Sequence, residues 1–245
     1  MSRKKPLTIG VLGGMGPEAT ARFFELIVKS TRVVRDQEHL PVIVCNLPGI
    51  PDRTEAILHG GPSPLPELRR GLAMLGRAGA DFAVMPCVSA HYFFRALTAR
   101  SPIPLVDLLA ETVAAVGKRR PHVATVGLLA TTGTVRSRIF QAVFEAAGIK
   151  VLVPDPRGQE RLMKAIYGRT GIKAGVTSGR PRWIVLDVAA SLVRRGAQVV
   201  IAGCTEVPLV LDERDLPVPL IDPLRIGATV CIRRAGGRVK AGRRP

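Results

Sequence analysis

The chain has 245 residues, 47% of them hydrophobic, enough to bury one large core or two compact ones without metal or disulfide staples. Its four cysteines, Cys45, Cys87, Cys204 and Cys231, are far apart and form no CxxC pair, which argues against a disulfide framework and a structural zinc site. The net charge of +17 suggests an affinity for nucleic acid or acidic lipid, but the arginines are scattered, cluster only in the terminal SRKK and RRAGGRVKAGRRP, and are joined by just 4% aromatic residues; no dedicated nucleic-acid surface is expected.

No charged-then-apolar leader precedes the first strand, and no uncharged apolar run nears the roughly 18 residues that span a bilayer, so the expectation is a soluble cytoplasmic protein without membrane partners. In chain order, a strand LTIGVLGG is followed by a glycine loop and by a helix predicted from Pro17 through ATARFFELIVKSTRVV. A strand LPVIVCNL, a helix LPELRRGLAMLGRAG and a strand DFAVMPC come next. Asp107 and Asp222 close two short equivalent strands, PIPLVD and PVPLID, and are placed to cap the next helices, DLLAETVAAV in the first case. The strand HVATVGLLA, the helix TVRSRIFQAVFEAAG, the strand KVLVPDP, the helix WIVLDVAASLVRRG and the strand AQVVIAGC complete the alternation. Strands alternating with helices specify an α/β protein with parallel sheets.

The same elements recur. TIGVLGGMG, from Thr8, aligns without gaps to TVGLLATTG, from Thr125, which begins 117 residues later; LGRAGADFAVMPC and LVRRGAQVVIAGC end at Cys87 and Cys204, again 117 apart. The chain therefore reads as two copies of one α/β unit. We expect residues 1–107 plus 213–245 to form the first and 108–212 the second, with RIGATVCIRRAG packing back on the first and the last Gly/Arg residues fraying. Ligands of parallel sheets bind beyond the carboxyl ends of the strands, where each copy places one cysteine. Two facing thiols in a cleft between the units suit proton transfer across a stereocentre. Taken singly, a strand-end cysteine is as readily a buried filler, and facing thiols could also form a redox pair.

Gly14 to Ala19 satisfies G-x-G-x-x-A, but the acidic residues Asp36 and Glu38 precede the second strand instead of closing it, so a dinucleotide is not expected. The loops GGMGPEAT and ATTGTVRS instead offer amides and hydroxyls at helix N-termini to a small anion.

Together, GVLGGMGPEAT, DQEHLPVIV, IPDRTEAIL, GADFAVMPCVSAHYF, GLLATTGT, QERLMKAIYGRTGIKAG and AGCTEVPLVL resemble the aspartate/glutamate racemase family, the cofactor-independent amino-acid racemases, over about residues 8 to 225. The resemblance implies two α/β units with the active site between them, often in a homodimer, and Cys87 and Cys204 as acid and base, without cofactor or metal. It assigns substrate carboxylates to Arg53 and Lys173, helped by Thr132, Gly133 and Thr134, by the loop near Met15, and by Ser89 and Thr205 beside the cysteines. One departure stands out: the family's usual Asn-Thr after the first cysteine is Val88-Ser89 here, which keeps a hydroxyl but removes an amide. That change leaves open a less polar substrate, a sister isomerase or decarboxylase, or an inactive small-anion binding protein. His91, four residues beyond Cys87, could tune that thiol's protonation and Glu206 could contact a substrate amine, both in supporting or structural roles ahead of direct proton transfer, and Cys45 and Cys231 are expected to be buried structural thiols.

Overall fold

The computed structural model describes residues 5–120 and 122–240; residues 2–4 of the first basic cluster and residues 241–245, expected to fray, lie outside them. Two four-stranded parallel sheets make up the molecule. The first is ordered β2-β1-β3-β4, from β1 (Ile9–Gly13), β2 (Val42–Asn46), β3 (Phe82–Val84) and β4 (Leu105–Val106). The second, ordered β6-β5-β7-β8, is built from β5 (Thr125–Leu129), β6 (Lys150–Leu152), β7 (Val199–Ala202) and β8 (Leu220–Ile221). The identical order, with β1 matching β5 and β3 matching β7, is the structural form of the sequence repeat. β1 and β7 are fully buried apolar runs, as strands covered by helices on both faces must be.

The second sheet extends past the boundary expected at residue 212, because β8 is hydrogen-bonded in parallel to β7. Beyond each terminal strand the chain crosses to the other unit. Asp107 caps the helix Leu108–Arg119 by accepting from the amides of Leu109 and Ala110, and Asp222 caps the helix Pro223–Arg234 through Leu224. The first of these helices buries Leu109 and Val116 among Val126, Leu128, Phe140 and Phe144 of the second unit. The second buries Leu224, Ala228, Cys231 and Ile232 among Ile9, Phe23 and Phe82 of the first. The helices exchange partners, so each core is completed by a segment that comes after the other unit's last strand.

Local chemistry shifts two expected helices. The helix from Pro17 stops at Ser30, not Val34, since Thr31 turns extended and pairs with Val239. The segment TVRSRIFQAVFEAAG breaks into Thr132–Arg136 and Ile139–Ala146 at Arg138, whose φ is 57°. Cys231 is buried as expected, but Cys45 is only half-buried, because β2 is an edge strand.

Candidate active site

The loops after the two central strands carry the cysteines inward. Cys87 comes after β3, its amide donating to the Met85 carbonyl at 2.7 Å, and Cys204 after β7, its amide donating to the Leu129 carbonyl at 3.0 Å. Both are buried, at 3% and 6% exposure, and both line one inner cavity of about 10 Å³, room for a single water. Met15, Arg53, Val88, Ser89, Lys173, Thr205 and Glu206 share its wall. Arg53, Lys173 and Glu206 also line an adjoining outer chamber of about 340 Å³.

Two helix starts bring opposite units together over this cavity. The first turn of the helix Arg53–Leu58 is fixed by Asp52, which accepts from the amides of Thr54 and Glu55. It lies against the helix Thr132–Arg136 so closely that a Cβ on Gly133 would stand 2.9 Å from Thr54 Oγ1 and 3.0 Å from its Cα. Gly133 is therefore a packing residue and does not line the cavity. Thr132 is not brought there either: its amide donates to Met163 Sδ and its hydroxyl accepts from Gln159. Thr134 does line it, joined by Thr131, which the sequence motif alone does not single out; their hydroxyls are 3.2 Å apart. Met15 sits on the glycine loop, where Gly14 has a φ of +98° and a Cβ there would fall 2.3 Å from the Leu47 backbone.

The surroundings of the two thiols differ. On the first side, Arg53 donates to the carbonyls of Ile50 and Pro51 at 3.1 and 2.8 Å, while its Nε is buried without a partner. Burial works against this guanidinium's charge, but the neighbouring Cys87 and Asp52 hold it. The Cys87 sulfur lies 3.5 Å from Ser89 Oγ. On the second side, the Cys204 thiol donates to Glu206 Oε2 at 2.8 Å. Glu206 also accepts from Thr205 at 3.1 Å and pairs with Lys173 at 2.7 Å. Burial and then the Glu206 carboxylate push the Cys204 thiol well above its ordinary range. Glu206 stays below the usual carboxylate range: desolvation opposes its charge, and Lys173 with three donated hydrogen bonds overcomes it.

His91 supports the first thiol from behind. The Leu108 amide donates to its Nε2 at 3.2 Å, so the ring proton sits on Nδ1 and is donated to the Cys87 carbonyl at 3.0 Å. Burial drives its pKa down and keeps the ring neutral, so it anchors the Cys87 loop and touches neither sulfur. Tyr167, unforeseen from sequence because its partner is 115 residues away, reaches from the second unit to donate to Asp52 Oδ2 of the first at 3.1 Å. Its ring stands 5.4 Å from the Lys173 ammonium. Among the described residues no cluster of three His, Cys, Asp or Glu could hold a metal, and no helix is long and apolar enough to cross a membrane.

Comparison with known proteins agrees with this layout. The sequence model of the Asp/Glu/hydantoin racemase family matches residues 12–231. The broad specificity amino-acid racemase RacX of Bacillus subtilis is 26% identical over 227 residues, covering 87% of this chain and 92% of that protein. The Picrophilus torridus aspartate racemase structure superposes with a TM-score of 0.85 at 29% identity, covering 96% of each chain. The glutamate racemase of Campylobacter jejuni shares the fold, with a TM-score of 0.64 at 16% identity over 97% of this chain and 89% of that one.

Proposed function

The chain belongs to the Asp/Glu/hydantoin racemase family, and on that premise we propose that it interconverts the enantiomers of a small amino acid by two-thiol proton transfer. The observation that carries the proposal is the pair of repeat-equivalent cysteines on opposite units of one buried cavity, in electrostatically unlike surroundings. Cys87, beside the Arg53 guanidinium, acts as thiolate; Cys204, its proton held by Glu206, acts as thiol.

The Cys87 thiolate takes the α-proton, and the C–H electron pair delocalises into the α-carboxylate. Arg53 and the hydroxyls of Ser89, Thr131, Thr134 and Thr205 hold that carboxylate as its charge grows. Cys204 then delivers its proton to the opposite face of Cα, ending as a thiolate near the Lys173 ammonium. The reverse reaction starts from that state. No cofactor is required as electron sink in this scheme, and a cytoplasmic homodimer is its working form. Since the inner cavity holds about one water, an amino acid enters only when the units part, and the Tyr167–Asp52 hydrogen bond is a contact that must yield.

Incubation of the reduced protein with single enantiomers in deuterated water tests the mechanism. Label is expected to enter with inversion in the wild type. Cys87→Ser and Cys204→Ser should each lower racemisation by about 10²-fold or more. Full turnover in Cys87→Ser would sink the two-thiol scheme, and release of carbon dioxide without inversion would identify a decarboxylase.

A further inference from the structure

The walls of the site also select a side chain, an inference that rests on the racemase reading. With the α-carboxylate bound as proposed, each cation of the inner cavity has an anionic partner. Arg53, on the same cavity wall as Cys87, is taken by the α-carboxylate in the proposed mechanism, and Lys173 is paired with Glu206 at 2.7 Å. A zwitterionic α-amino acid adds no net charge to this arrangement. A second carboxylate would bring a half-buried charge with no free cation to receive it, and unpaired buried charge is strongly disfavoured.

Val88, 2% exposed, lines the inner cavity and packs into the core of the second unit, so beside Cα it offers aliphatic surface and the side chain is left to the outer chamber. Outside, the chamber is walled by Pro17, Pro48, Ile50, Ile172 and Leu209, and its further charged groups, Glu18 and Asp52, are both acidic. Its volume of about 340 Å³ is ample for a side chain projecting outward from a Cα held between the thiols.

We infer that the substrates are α-amino acids with a single carboxylate, whose side chain, without a second carboxylate, lies in the outer chamber. The test is the rate of α-proton exchange in deuterated water with L-methionine, L-leucine, L-aspartate and L-glutamate, in the wild type and in Leu209→Lys. The substitution places a free cation at the half-buried chamber wall and touches neither thiol. Exchange of methionine or leucine is expected at a kcat/KM at least about tenfold above that of aspartate and glutamate, a ratio that Leu209→Lys lowers by about tenfold or more. Aspartate or glutamate exchanging as fast as methionine and leucine in the wild type would overturn this inference and leave the racemase reading standing. Exchange with none of the four would overturn both.

Discussion

Replacing Glu206 by Gln isolates the charge that keeps Cys204 protonated. The carboxylate oxygen lies 2.8 Å from the sulfur, and two unit charges about 4 Å apart interact by about 4 kcal/mol at an effective dielectric of about 20. Lys173, 2.7 Å from the same carboxylate, offsets part of the effect in the wild type. After substitution its charge acts on the thiol unopposed. Desolvation, the largest cause of the raised pKa, is untouched by the change. The expected result is that Cys204 ionises at lower pH in Glu206→Gln than in the wild type. Thiolate ultraviolet absorbance followed against pH, in a background with Cys45, Cys87 and Cys231 replaced by Ser or Ala, reads this directly. The pH profile of kcat/KM in the otherwise native protein should move the same way. An unshifted Cys204 titration in a folded Glu206→Gln protein would refute the assignment of Glu206 as the group that holds the proton on sulfur.

Other substitutions test the frame around the thiols. Gly133→Ala drives a Cβ to 2.9 Å from Thr54 Oγ1 and should cost about 1–3 kcal/mol in denaturant unfolding, with a raised KM because Arg53 begins the displaced helix. His91→Ala leaves the Leu108 amide and the Cys87 carbonyl without their partner; a loss of about 1–3 kcal/mol is expected, with kcat falling more than KM changes. Thr134→Ala should weaken turnover while Thr132→Ala leaves steady-state kinetics near wild type, because only the first lines the cavity. Burial pushes the Cys231 thiol up to about 12. The folded state therefore retains a proton that the unfolded chain, with a thiol pKa of about 8.5, gives up. Stability from this group is complete below about pH 8.5 and declines as pH rises toward 12; Cys231→Ala should flatten that decline in urea midpoints measured at pH 8 and 10.5.

The legible part of the fold came from periodicity. The constant offset between TIGVLGGMG and TVGLLATTG placed β1 and β5, and the same offset made Cys87 and Cys204 equivalent on sequence alone. Asp107 and Asp222 could be read as caps because an acid between a short apolar strand and a helical run has a local partner in the next amides. Features made by chain segments distant in sequence were not legible. Tyr167 and Asp52, 115 residues apart, meet only when the two units are docked. The TGT turn pointed to Thr132, Gly133 and Thr134, but the helical turn that starts there brings only Thr134 to the cavity, with the unforeseen Thr131, and leaves Thr132 and Gly133 to packing. Lys173 was expected to await a carboxylate from the substrate, and the structure supplies one from Glu206.

The exchanged helices bear on how the chain could be divided. A fragment ending at Asp107 would lack Leu224, Ala228, Cys231 and Ile232 and would leave Ile9, Phe23 and Phe82 facing water, while the remaining fragment would carry an orphan amphipathic helix. Neither repeat can be an autonomous folding unit in its present form, whatever its ancestry as a duplicated element. The two chain crossings that tie the halves together both leave at capping aspartates, Asp107 and Asp222, beyond the last strand of each sheet. Because each exchanged helix completes the core of the unit it joins, parting the halves at the cleft must leave both helices seated.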